Sequence, residues 1–131
     1  MVIIKNVTEL KAYDVKQTYG IEAEGVTIRW ISERGTGGPD YLHNFALRHF
    51  TLEAGGYIAP HRHAWEQEVA VTKGKLLITG RGQGRIIKEE DVAYFSADEE
   101  HGFKVLGDKP SEFYCIIGCI GKGENCIGLP E

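Results

Sequence analysis

An all-β protein of antiparallel strands is the fold class this sequence predicts, and three observations predict it. Apolar and polar residues alternate with period two along most of the chain. Turn signals ("GTGGPD", "EAGG", "KGK", "GRGQGR", "LGDKP") recur between the alternating runs. Seventeen glycines stand against four prolines with no low-complexity run, which suits turns in a strand-rich chain rather than disorder. Together they read as a sandwich or barrel.

Taken in order, the chain opens with "MVIIKNV" (1–7), which has the apolar residues of an edge strand; in a homodimer such an arm covers an otherwise exposed sheet edge. A short helical turn is expected near "NVTELKAY", with Thr8 as its cap. "VTIRWIS" (26–32) alternates as a strand. "ERGTGGPD" (33–40) reads as the most flexible loop. "NFALRHFTLE" (44–53) is the next strand, and "AGG" reads as a turn before "YIAPHRH". "EVAVTKGKLLITG", "GRIIKEEDVAYFSADEEHGFKVLG" and "SEFYCIIGCIG" supply the remaining strands. "GKGENCIGLPE" reads as a loosely attached tail. One domain, 1–131, is expected, with a core of about 40–118.

The chain's 131 residues suffice for one core that buries roughly two thirds of the unfolded surface. A net charge of -4 offers no basic footprint for nucleic acid or anionic lipid. No stretch approaches the roughly 18 apolar residues of a membrane span, and no secretory signal is visible at the start. Cys115, Cys119 and Cys126 are odd in number and match no zinc module in their C-x3-C-x6-C spacing. They read as small, partly buried thiols without a disulfide framework, in a reducing cytoplasm.

The chemistry gathers at "HRHAWEQE" (61–68). Residues of one parity share a strand face, so His61, His63 and Gln67 point together with Trp65, Val69 and Val71. Glu66 and Glu68 then face solvent. His101 alternates with Phe103 and Val105 and is a fourth candidate. Three imidazole nitrogens and an amide oxygen suit Mn, Fe, Ni or Zn, whereas calcium and magnesium prefer carboxylate-rich sites. Parity alone does not bring the four together.

"GGYIAPHRHAWEQEVAVTKG" resembles the first motif of the cupins, G-x5-H-x-H-x3,4-E-x6-G, with Gly55, His61, His63 and Gly74 in register and Gln67 in the place of the glutamate. "EDVAYFSADEEHGFKV" is similar to their second motif in spacing and in His101, while Glu90, Ser96, Asp98 and Val105 replace its two glycines, proline and asparagine. The resemblance spans about 40–118. It implies a cupin-type double-stranded β-helix, a jelly-roll barrel of antiparallel strands. It also implies one metal held inside by His61, His63, Gln67 and His101.

Glutamine in place of glutamate leaves the metal's charge uncompensated, so the site should draw an anionic ligand. Some small cupins of this kind open unsaturated uronates; the alternative is that Gln67 marks a site that has lost its metal. Arg48 shares parity with Ala46, Phe50 and Leu52, and an unpaired charge on an apolar face is costly. Either it enters the cavity and binds an anion, or Phe45 and Leu47 face inward instead. Phe103, Phe113 and Cys115 are candidate pocket walls. Trp65 is expected to pack over the barrel mouth, and His43 and His49 to be surface or strand-face histidines rather than ligands.

"GRGQGR" joins two strands and opens no helix, so it is no phosphate loop. The expected activity is that of a metalloenzyme of dioxygenase type, an oxidoreductase, acting on a small anionic molecule. The alternatives are a sugar-acid isomerase or ring-opening cupin, and a non-catalytic ligand-binding module. No carboxylate of inward parity offers itself as the base an isomerase needs.

Overall fold

The computed structural model describes residues 2–33, 44–82 and 84–126. Among the described residues nine strands run β1 (Tyr13–Asp14), β2 (Ala23–Ser32), β3 (Phe45–His61), β4 (Gln67–Lys73), β5 (Lys75–Thr79), β6 (Arg85–Lys88), β7 (Val92–Phe95), β8 (His101–Val105) and β9 (Ser111–Gly118). All pairings are antiparallel, and hydrogen bonding follows the order β6-β5-β8-β3-β9-β4-β7, with β2 on β3 and β1 on β2. The strands wrap into a nearly closed jelly-roll barrel, as the alternation and the motif resemblance led one to expect.

The period-two pattern decides which side chains fill it. Along β9, Ser111, Phe113, Cys115 and Ile117 are buried and their neighbours are not. Along β4, Gln67, Val69 and Val71 are buried. In β2 the buried positions shift from Ala23 to Val26 and Ile28 because a register break falls between Glu24 and Val26, at Gly25 with its φ of 66°. Such a bulge moves the inward face by one residue.

"EAGG" is not the turn the sequence suggests. β3 continues through it as one 17-residue strand. Gly55 takes a φ of 77°, and four residues of β3 lie between the partners of Glu24 and Val26 where β2 has one, so the strand bends rather than reverses. The bend lets β3 serve both sides of the barrel. Its first half pairs with β9 (Arg48 opposite Cys115) and its second half with β8 (His61 opposite His101).

Three further expectations are corrected. The early helical turn is a 3-10 turn at Val7–Glu9 capped by Asn6, whose side chain accepts from the Thr8 backbone N–H; Thr8 lies inside it. A five-residue helix, α1 (Val15–Tyr19), follows unforeseen, capped by the Asp14 carboxylate on the Gln17 N–H and closed by Gly20 at φ 67°. Cys119 and Cys126 form a disulfide across a sequence separation of 7. The described part of the tail is therefore tied down: Glu124–Cys126 is a 3-10 turn, and Cys126 is fully buried.

Residues 2–6 belong to no element within the chain, and Val2 and Ile4 are exposed. His43 and nearly all of the "ERGTGGPD" loop fall outside the described residues. Among the described residues no helix is long and apolar enough to cross a membrane.

Candidate metal centre

The end of β3, the start of β4 and the start of β8 meet at one end of the barrel cavity. His61 closes β3, Gln67 opens β4 and His101 opens β8. His63 sits in the link between β3 and β4, where Trp65 stacks parallel on its ring at 4.5 Å. The three histidines each present a ligand atom within 4.8 Å of the others. The His101 ring lies 4.7 Å from that of His61 and 4.9 Å from that of His63.

The backbone sets the orientation of all three rings. Nδ1 of His61 bonds the Ala59 carbonyl at 2.9 Å, Nδ1 of His63 the Trp65 carbonyl at 2.9 Å, and Nδ1 of His101 the Glu99 carbonyl at 2.8 Å. A carbonyl only accepts, so each Nδ1 carries the proton and each Nε2 keeps its lone pair. This is the arrangement by which outer partners fix the tautomer of metal-binding histidines.

Burial and the neighbouring imidazoles make cationic rings costly here. Burial chiefly lowers the pKa of His63. The same cause, aided by His61 and His63, pushes His101 down to about 4, against the opposing backbone bond to Glu99. Both rings are therefore neutral at pH 7. The His101 Nε2 is buried and has no hydrogen-bond partner among the described residues. A buried lone pair without a partner is costly, and a cation would satisfy it.

Gln67 lies beside the three histidines. It is 6% exposed, and its Oε1 lies 2.9 Å from the His63 Nε2. Two donor atoms bound about 2.1 Å from one metal at a right angle lie about 3.0 Å apart. The pair is therefore spaced as two ligands of one ion. Without an ion, the lone pair on Nε2 can be met only by the amide turned to present its NH2. Three neutral nitrogens and one neutral oxygen suit a borderline divalent transition metal.

Next to this cluster lies a cavity of about 460 Å³, lined by His61, His63, Gln67 and mainly apolar side chains. All the sequence-picked wall residues are there: Arg48, Phe103, Phe113 and Cys115. Arg48 takes the inward alternative, with Ala46, Phe50 and Leu52 buried around it and Phe45 exposed. Its Nη2 donates to the Cys115 Sγ at 2.9 Å, and its guanidinium carbon lies 5.3 Å from the rings of Trp30 and Phe50. Cys115 is fully buried, which raises its pKa despite Arg48 beside it, so it is a thiol rather than a thiolate. No carboxylate lines the cavity among the described residues.

Trp65 does more than cover the mouth: it lines the cavity as well as stacking on His63. His49 is buried, not superficial, and meets Glu112 at 3.2 Å away from the cluster. Glu66 and Glu68 are exposed as parity requires, Glu66 accepting from the Tyr94 hydroxyl at 2.7 Å. Sequence reasoning missed the wall made by Tyr19, Ile21 and Trp30. The parity of Trp30 with Val26 and Ile28 signalled it, whereas Tyr19 arrives on α1 with no local signal.

A family model described as the cupin domain matches residues 48–117. No curated protein sequence matches the chain. Among solved structures, the polyketide cyclase RemF from Streptomyces resistomycificus is 22% identical over 91% of this chain and 80% of its own, with a TM-score of 0.77. A predicted oxalate decarboxylase from Thermotoga maritima is 17% identical over 88% of this chain and 98% of its own, with a TM-score of 0.75. KdgF from a Halomonas species is 16% identical over 85% and 89%, with a TM-score of 0.67. At these identities the likeness is one of fold.

Proposed function

This chain belongs to the cupin domain family, and from that premise we propose that it is a metalloenzyme holding one divalent transition metal (Mn, Fe, Ni or Zn) through His61, His63, Gln67 and His101 and acting on a small organic anion. One observation carries the reading: three imidazoles locked by backbone carbonyls converge with their Nε2 lone pairs inward, and that of His101 is buried without a partner among the described residues. Such a metal, when bound, supplies Lewis acidity and, if redox-active, electron transfer.

The side chains supply the rest. A neutral donor set leaves the full charge of the ion in place, and Arg48 adds a second positive charge in the same cavity. An anionic ligand is favoured there, with its apolar body against Phe50, Phe103, Phe113 and Ile117. The apolar walls exclude water and hold the ligand in one orientation. No carboxylate lines the cavity among the described residues, so an isomerisation driven by a carboxylate base is the less favoured chemistry here.

One observation favours a second reading. The aromatic walls suit a folded polyketone better than a hydroxyl-rich sugar acid, and the fold is similar to that of a polyketide cyclase. In that reading the metal-bearing site would polarise a carbonyl.

The test is turnover of a panel of aromatic and aliphatic acids and linear polyketones by protein reconstituted with each metal in turn. Oxygen uptake with manganese or iron, abolished by His101→Ala, is the expected result. Turnover with zinc and no oxygen uptake would select the cyclase-like reading. Saturable binding without any turnover would leave a ligand-binding module and overturn the enzymatic proposal.

A further inference from the structure

Two side chains lining the cavity keep hydrogen-bond donors that no acceptor among the described residues takes up. The indole Nε1–H of Trp30 donates to the Tyr19 hydroxyl oxygen at 2.6 Å. Indole nitrogen is a donor only, so the direction of this bond is fixed. The Tyr19 oxygen is thereby occupied as an acceptor, and its own O–H must point elsewhere. Among the described residues no acceptor takes that proton, yet Tyr19 is half-buried and lines the cavity.

Arg48 is the second donor. It is the cross-strand partner of Trp30, and its guanidinium lies over the same indole. Among the described residues its buried Nε has no partner, and its Nη2 meets only the weakly accepting Cys115 sulfur. No ion pair to a described carboxylate balances it. Arg48 is also close enough to Tyr19 to oppose the rise in the tyrosine pKa that burial causes. A guanidinium and a hydroxyl that both face one cavity with unspent donors form a receptor for an oxyanion.

We propose that Tyr19 and Arg48 together bind the carboxylate of the ligand, so that Tyr19 selects aromatic or apolar carboxylic acids whose far end reaches the histidine cluster. Trp30 acts through Tyr19: by filling the acceptor side of the hydroxyl it commits the proton to the ligand. Phe50, Phe103 and Phe113 flank the space between the two ends and receive the ring or chain. The inference rests on the proposed metal centre for the far end of the ligand only; the carboxylate end stands on its own residues.

The experiment is calorimetric titration of phenylacetate and of its neutral isostere phenylacetamide into the full chain, both loaded with manganese and after chelation. The wild type binds the acid more tightly than the amide. Tyr19→Phe, which keeps the ring, cuts that preference about tenfold in both metal states, because the hydrogen bond lost is stronger to the charged carboxylate than to the neutral amide carbonyl, whose affinity falls less. The same comparison on a Trp30→Phe background, where no indole N–H is stranded, still shows a loss, but a smaller one, because the Tyr19 proton is no longer committed to the ligand.

An unchanged preference in Tyr19→Phe, an equal loss for both probes, or no preference in the wild type would overturn the inference. A Tyr19-dependent preference in a chain that takes up no metal even on reconstitution would refute the proposed function and leave this inference standing. Normal metal binding with a Tyr19-independent preference would do the reverse.

Discussion

Gly102 tests how tightly the barrel sets the spacing of the histidines. It follows His101 on β8 and is flanked by β3 on one side and β5 on the other. A Cβ at this position would lie 2.6 Å from the Ile58 carbonyl oxygen and 2.7 Å from both the Pro60 nitrogen and the Thr79 Oγ1. Ordinary contact begins at 3.4 Å, so neighbouring groups must retreat by about 0.7–0.8 Å, two of them backbone atoms that cannot turn away. His61 and His101 face each other across this same strand pair. A displacement of that size is several times the roughly 0.2 Å within which metal–ligand distances are held.

Gly102→Ala is therefore expected to weaken metal binding about 10- to 100-fold, the range seen when the supports of metal ligands are lost. It should also cost about 1–3 kcal/mol in stability through overpacking. Gly84→Ala is the control, because its added Cβ meets only the Leu77 side chain, at 3.2 Å. Competition against a chromophoric chelator reads the affinity, and urea unfolding reads the stability. A folded Gly102→Ala protein with wild-type metal affinity would refute the claim that β3–β8 spacing sets the site.

Three further outcomes are expected. Cys119→Ser should lower stability by about 2.4 kcal/mol, the loop-closure contribution of a bridge across so short a span; reductant should bring the wild type down equally, and no change in the urea midpoint would count against the bridge. His49 should make the fold acid-sensitive. Burial chiefly lowers its pKa from 6.5 while Glu112 pulls the other way, so the native state holds fewer protons than the unfolded chain. Stability should then fall as pH drops below about 6.5 and level off below the folded pKa, and His49→Gln should flatten that decline in urea midpoints; identical slopes would contradict it. Finally, we propose that the exposed Val2 and Ile4 mark an arm that pairs with a second copy. Sedimentation should find a dimer that is lost on deleting residues 2–5, and a micromolar monomer would end the idea.

The four proposed ligands were legible because two constraints agree on them. Motif spacing places His61, His63, Gln67 and His101 in register, and strand parity points Gln67 and His101 inward with Val69, Val71, Phe103 and Val105, all buried. Arg48 was legible as a choice of two faces, since an apolar stripe with one cation in it reads either way until the neighbouring strands are known. "EAGG" misled because a positive φ at Gly55 serves a turn and a bulge alike, and only pairing with β2 on both sides of it distinguishes them. Tyr19 and the Cys119–Cys126 bridge were out of reach. Each depends on where a short connecting segment lands against the barrel, which no local period encodes. The early turn falls where expected, but its cap was misassigned and α1 was missed, because Asn6 and Asp14 both cap and the sequence shows two candidate starts within nine residues.

The central claim is that the three histidines and Gln67 hold a metal. The most direct measurement is metal content by plasma mass spectrometry of protein purified without a metal-binding tag, beside a His61→Ala, His63→Ala double variant. The account predicts about one equivalent of a divalent transition metal in the wild type and none in the variant. No metal in the wild type even after reconstitution, or equal metal in the two proteins, would contradict it and leave Gln67 as the mark of a site that binds none.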